Sequence, residues 1–132
     1  MPLVFLFSLD PLAKLRPRFS RGHVFTPMKT KRYEQHIAVV AAAQMIGLPL
    51  EGPIHARIKF VFKRKKSVKR THHTIKPDLD NLIKAILDGL NGIAFKDDAQ
   101  VCSLSATKVY GVDDEDGRIT IELHPMDATP SV

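Results

Sequence analysis

Between Leu79 and Leu90 the apolar residues Leu79, Leu82, Ile83, Ile86, Leu87 and Leu90 recur at i, i+3, i+4, i+7, i+8 and i+11. That spacing is one continuous face of an α-helix. Pro77 suits its start, and Asn91-Gly92 supplies a C-terminal stop. Gly89, inside this helix, costs about 1 kcal/mol relative to alanine, which predicts a close contact there, with a second subunit as one candidate. From Ile54 to Phe62 the pattern is alternating: Ile54, Ala56, Ile58, Phe60 and Phe62 face one way, and His55, Arg57 and Lys59 the other. This predicts a half-buried strand with a basic outer face. Another helix is predicted from about Thr30, as its N-cap, to Ile46, with Tyr33, Ile37, Val40, Ala41 and Met45 inward. Gly47 and Pro49 end it.

Shorter apolar runs predict strands at Pro2 to Leu9, Val24-Phe25, Val101 to Tyr110 and Arg118 to His124. The acidic stretch from Gly111 to Gly117 between the last two reads as an exposed hairpin turn. The fold class that results is α+β: a two-layer domain with a mixed β-sheet packed against two main helices. A chain of 132 residues supports one such core and not two. Residues 1–125 are expected to form that single domain and 126–132 a flexible tail.

Lysine and arginine exceed aspartate and glutamate by 20 to 14, a formal charge of +6 that favours a polyanionic partner, nucleic acid first and an anionic membrane surface second. The apolar Leu3 to Phe7 is far too short to span a bilayer and lacks the flanks of a signal peptide. Cys102 is the only cysteine, so no intramolecular disulfide forms and a cytoplasmic location is expected. In its strand it is expected to be a buried structural thiol. The positive charge gathers in two places. Lys14, Arg16, Arg18 and Arg21 surround Phe19, and Lys63, Arg64, Lys65, Lys66, Lys69, Arg70 and Lys76 precede the Leu79–Leu90 helix. Each reads either as a phosphate-contacting arm or as a solvated loop. His36 has no partner at metal-ligand spacing and reads as a surface residue, and His72-His73, adjacent in a flexible loop, read as non-ligands rather than a transition-metal site.

Against this basic background, Asp78 and Asp80 stand at the start of the Leu79–Leu90 helix, and Asp97 and Asp98 just beyond it. Either pair alone is explained by capping of free N–H groups. Two pairs flanking one helix point instead to a divalent metal such as Mg²⁺, which takes hard oxygen ligands. Lys84 lies one turn along from Asp80, the spacing of an i,i+4 ion pair.

The segments Lys76-Pro77-Asp78-Leu79-Asp80-Asn81-Leu82-Ile83-Lys84, Asp88-Gly89-Leu90-Asn91-Gly92 and Asp97-Asp98-Ala99-Gln100-Val101 together resemble the signature of the RusA family of Holliday junction resolvases. Arg16-Pro17-Arg18-Phe19 and the order of strands and helices are similar too, up to about Tyr110. The resemblance implies a homodimer that resolves four-way DNA junctions with Mg²⁺, by paired nicks in strands of like polarity. It implies that Asp78, Asp80 and Asp98 are metal-binding catalytic acids, with Asp97 in support and Lys84 as a catalytic cation. The stretch from helix to Asp97-Asp98 is a residue shorter than in some members, so both aspartates stand as candidates for the principal ligand. Two other readings compete: a non-catalytic DNA-binding module whose acids are caps, and a small-molecule phosphohydrolase. The phosphohydrolase needs a closed pocket, and the basic arms argue against it.

Overall fold

The computed structural model describes residues 2–15, 18–25 and 27–126. A four-stranded sheet carries two helices. Its strands are β1 (Leu3–Phe7), β4 (Ile54–Phe62), β5 (Val101–Tyr110) and β6 (Arg118–Pro125), and its helices α1 (Met28–Gln44) and α2 (Leu79–Leu90). A separate hairpin pairs β2 (Arg18–Ser20) with β3 (His23–Phe25). The α+β class with a mixed sheet is therefore observed.

β4 is the organising strand. It pairs parallel with β5 and antiparallel with β6, and β1 closes the other side against β6. Parallel neighbours need a long crossover, and α2 lies in it. Ile54, Ala56, Ile58 and Phe60 point from β4 into the core, where they meet Phe5 and Phe7 of β1, Ile119, Ile121 and Leu123 of β6, and both helices. Arg57 and Lys59 point to the open face, so the predicted alternation holds. The Gln44 side chain accepts from the Leu6 N–H at 2.9 Å and donates to the Leu6 carbonyl at 2.7 Å. It stands in for a further strand at that edge.

Several expectations are corrected. The segment from Gly111 to Gly117 is not a hairpin turn, because β5 and β6 both pair with β4 and this connection passes the end of that strand. Gly111 N–H donates to Phe62 O at 2.8 Å there. The basic stretch read as an arm or loop contains the β2–β3 hairpin, closed by Arg21 and Gly22 at φ 49° and 78°; positive φ at both central positions marks a type I′ turn. Helix α1 begins at Met28 behind Pro27, so Thr30 lies inside its first turn. Thr30 is buried, and its Oγ1 accepts from the Leu15 N–H at 3.2 Å. Cys102 is exposed, since β5 is an edge strand and this position faces away from the core. The final strand runs one residue further than expected, to Pro125, and Met126 N–H donates to Pro53 O at 2.9 Å. Of the predicted tail, 127–132 lie outside the described residues.

The contact predicted at Gly89 is with α1 of the same chain. A Cβ there would stand 2.6 Å from Ile37 Cγ2 and 3.3 Å from Glu34 O. The buried arc of α2 is accordingly wider than the predicted stripe, and adds Ala85 and Gly89. Among the described residues, no helix is long and apolar enough to cross a membrane.

Candidate active site

Asp78 occupies the N-cap position of α2, yet its side chain makes no capping hydrogen bond. Its Oδ2 instead accepts from Lys76 Nζ at 2.9 Å. That hydrogen bond is the main reason its carboxyl is held below the usual aspartate range, with the charge of Lys108 adding to it. Asp80, in the first turn, accepts from the Asn81 N–H at 3.0 Å and has no ion-pair partner among the described residues. The i,i+4 pair predicted between Asp80 and Lys84 is not formed. Lys84 turns toward the C-terminal end of α2, where its Nζ lies 3.0 Å from Asp88 Oδ1 and 3.3 Å from Asp98 Oδ2.

The turn bearing Asp97 and Asp98 is held from three sides. Asp98 N–H donates to Asn91 Oδ1 at 2.9 Å. Gln100 Oε1 accepts from the N–H groups of Lys96 and Asp97 at 2.9 and 3.0 Å. Gln100 Nε2 reaches back to the carbonyls of Leu50 and Gly52 at 2.9 and 3.0 Å. It is the Asp98 carboxylate that meets Lys84, whereas Asp97 heads a single 3-10 turn (Asp98–Gln100) and is exposed. Partial burial works against ionisation of Asp98, but its pKa is lowered, with the hydrogen bond and the charge of Lys84 favouring the carboxylate.

Asp78 and Asp80 thus stand at the start of α2, and Lys84 joins the middle of that helix to Asp98. Among the described residues, no three His, Cys, Asp or Glu side chains are drawn together closely enough to hold a metal ion. The donor set nevertheless suits a hard divalent cation, being carboxylate oxygens alone. Two of those carboxylates already hold a cation, the ammonium groups of Lys76 and Lys84.

The basic residues divide. Lys14 turns inward onto Asp88 and Glu34. The Arg64 guanidinium is occupied by the carbonyls of Gly111, Val68 and Arg70 and stands over the Tyr110 ring. Lys63 reaches Asp116 at 3.6 Å, and Arg70 donates to Thr74 Oγ1 at 3.1 Å. Arg21, Lys65, Lys66 and Lys69 are exposed, with no carboxylate partner among the described residues. Arg16 and the side chain of Arg18 lie outside the described residues. His36 is exposed as expected; His72 is exposed too, whereas His73 is buried, stacked on Phe62 with ring centroids 3.7 Å apart.

The profile of the endodeoxyribonuclease RusA family matches residues 8–124. The chain belongs to the RusA family. It is also similar to the uncharacterized protein YqaN of Bacillus subtilis (strain 168), at 30% identity over 90% of this chain and 93% of that protein. The family is one of endodeoxyribonucleases, and its motif residues acquire physical roles here. Asp88 binds lysines, Gly89 admits α1, Leu90 is buried in the core, and Asn91 and Gln100 fix the turn of Asp98.

One contributor escaped the sequence reading. Lys108 of β5 donates through Nζ to Ile75 O at 2.8 Å and Pro77 O at 2.7 Å. It thereby ties down the bend that leads into Asp78. A cleft of about 640 Å³ opens there, lined by His73, Thr74, Ile75, Lys76, Asp78, Leu79 and Lys108. A lone lysine in an alternating strand carries no signal for this role, because its partners are backbone carbonyls.

Proposed function

We propose that this protein is a Mg²⁺-dependent endonuclease that resolves four-way DNA junctions, acting as a homodimer in the cytoplasm. The observation that carries this reading is the Lys84 bridge, which joins the helix bearing Asp78 and Asp80 to the turn bearing Asp98. In this reading Asp78, Asp80 and Asp98, with Asp97 in support, hold the ion. Held there, Mg²⁺ would supply Lewis-acid chemistry toward an attacking water and the leaving oxygen. Lys84 sets positive charge beside the phosphate where negative charge develops. Asn91 and Gln100 keep Asp98 from drifting, so less reorganisation accompanies the reaction. Arg21, Lys65, Lys66, Lys69 and Lys76 grip backbone phosphates of the junction arms without reading sequence. A homodimer places two such sites across a substrate of matching symmetry, which suits paired nicks in strands of like polarity.

A second reading has one observation in its favour: Lys76 and Lys84 already neutralise Asp78 and Asp98. On that reading the protein binds DNA and does not cut. The two are separated by comparing wild type with Asp80→Asn on a synthetic four-way junction and a matched linear duplex, with Mg²⁺ or EDTA. The nuclease reading expects paired nicks by wild type in the junction with Mg²⁺ alone, and binding without cutting by the variant. Binding by both and cutting by neither leaves the non-catalytic module.

A further inference from the structure

Asp88 is two turns along α2 from Asp80, and its side chain is only 12% exposed. Both of its oxygens are occupied by ammonium groups. Oδ1 lies 3.0 Å from Lys84 Nζ, and Oδ2 accepts from Lys14, which arrives from the segment ahead of β2. Lys14 Nζ also lies 3.3 Å from Glu34 Oε1 of α1, an oxygen shut off from solvent with no aligned hydrogen-bond donor. The backbone around Lys14 is fixed as well: its N–H donates to Asn81 O at 3.1 Å, and the Leu15 N–H to Thr30 Oγ1 at 3.2 Å. Glu34 comes this close because Gly89, beside Asp88, has no Cβ to hold α1 away.

A surface i,i+4 ion pair leaves both side chains free to wander. Asp88 differs, because a second lysine and little exposure leave its carboxylate one orientation. A lysine stem is long and rotamer-rich, so an ammonium tethered at Asp88 reaches far fewer positions than an untethered one. The position found lies 3.3 Å from Asp98. We propose that Asp88 is a positioning residue: it holds the Lys84 ammonium against Asp98, and Lys14 and Glu34 hold Asp88. The inference rests on the reading of Lys84 and Asp98 as site residues given above.

The test combines Asp88→Asn, Asp88→Glu, Lys84→Met and the Asp88→Asn/Lys84→Met double variant. The first readout needs no catalysis: NMR of the Lys84 side-chain ammonium in the protein free of DNA. Wild type is expected to show an ordered group, Asp88→Asn a mobile one and Asp88→Glu an intermediate. The second is the nicking rate at saturating four-way junction, alongside the dissociation constant for that junction. Asp88→Asn is expected to lose about 10- to 100-fold in rate, the range for partners of site groups, with affinity within about twofold and Asp88→Glu in between. In the Lys84→Met background the Asp88→Asn change is expected to cost nothing further, as for two residues acting through one group.

Lys84 still ordered in Asp88→Asn, or a loss that repeats in full without Lys84, overturns the inference while leaving the nuclease reading in place. A wild type that cuts no junction removes both. If Asp88→Asn does not fold, Asp88→Glu decides: an unchanged Lys84 signal and an unchanged rate overturn the proposal.

Discussion

Asn91 Oδ1 accepts the backbone N–H of Asp98 at 2.9 Å, so the residue that ends α2 also fixes the aspartate that faces Lys84. Asn91→Ala leaves that N–H to water at an exposed position, and the stability cost is expected to be about 1 kcal/mol. The nicking rate is expected to fall about 10-fold or more, because Asp98 loses its anchor. Chemical denaturation and a junction assay measure the two effects separately. A rate equal to wild type would show that the anchor is dispensable.

Gly89→Ala loses the gain that helix propensity alone gives. In an unencumbered helix the change stabilises by about 1 kcal/mol. Here the new Cβ lies 2.6 and 2.7 Å from Ile37 Cγ2 and Cβ, and overpacking of this kind costs about 1–3 kcal/mol. The expected gain is cancelled or turned into a net loss of up to about 2 kcal/mol, read from urea unfolding. A more stable variant would mean that α1 can draw back from α2 at no cost.

His73 introduces a pH dependence whose sign can be worked out. Burial, then the charges of Lys108 and Lys65, holds its pKa below the usual histidine value of 6.5. The native state therefore releases this proton at a lower pH than the unfolded chain does. Its contribution to stability is level above about pH 6.5 and falls as the pH drops toward the depressed native value. In His73→Phe the ring still stacks on Phe62 and beside Tyr110, but nothing titrates there. The difference in melting temperature between wild type and His73→Phe is expected to widen from pH 7 to pH 5. A constant difference would show that His73 is not held neutral. Its Nδ1 is also buried without a partner, so the variant is expected to be more stable than wild type even at pH 8.

Lys65, Lys66 and Lys69 are expected to act on DNA affinity alone. Changing all three to alanine should weaken four-way-junction and duplex binding alike. It should also reduce the slope of log affinity against log salt by about 1 for each phosphate that no longer meets a lysine. A slope unchanged in the triple variant would place the DNA elsewhere on the protein.

The elements most legible in the sequence were those whose pattern is set by burial on a single face. α2 and β4 run between the expected residues, because a helical stripe and a strict alternation leave one solution each. Contacts between elements were not legible. Lys84 sits four residues from both Asp80 and Asp88, and only the second aspartate, shielded beneath Lys14, offers it a fixed partner. The β2–β3 turn was hidden because Arg21-Gly22 lacks the asparagine or aspartate that usually announces positive φ at its first position. Strand order was hidden too: β5 and β6 are neighbours in the chain, and nothing in Gly111 to Gly117 reveals that β4 stands between them. At the candidate site the two pairs of acids stood out against a basic background and the family resemblance singled out Asp78, Asp80 and Asp98, whereas Lys108 and Gln100 act on carbonyls and amides that any sequence possesses.

The grip of Gln100 on Leu50 and Gly52 bears on how chains of this kind tolerate changes in length. The turn of Asp97 and Asp98 is moored to the loop that leads into β4, and the same loop holds the chain just ahead of it, where Leu50 N–H donates to Ala94 O at 2.8 Å. Ala94 and Phe95 are themselves fully buried. Between α2 and Ala94 the chain is tied to itself: Gly92 N–H donates to Phe95 O at 2.9 Å, and the Ile93 and Ala94 N–H groups to Leu90 O at 3.0 and 3.1 Å. A residue gained there is met by remaking those local bonds, which are separate from the hold of Gln100 on Leu50 and Gly52. Insertions from Ala94 to Gln100 have no such freedom, for they pull the carboxylates off the moorings themselves.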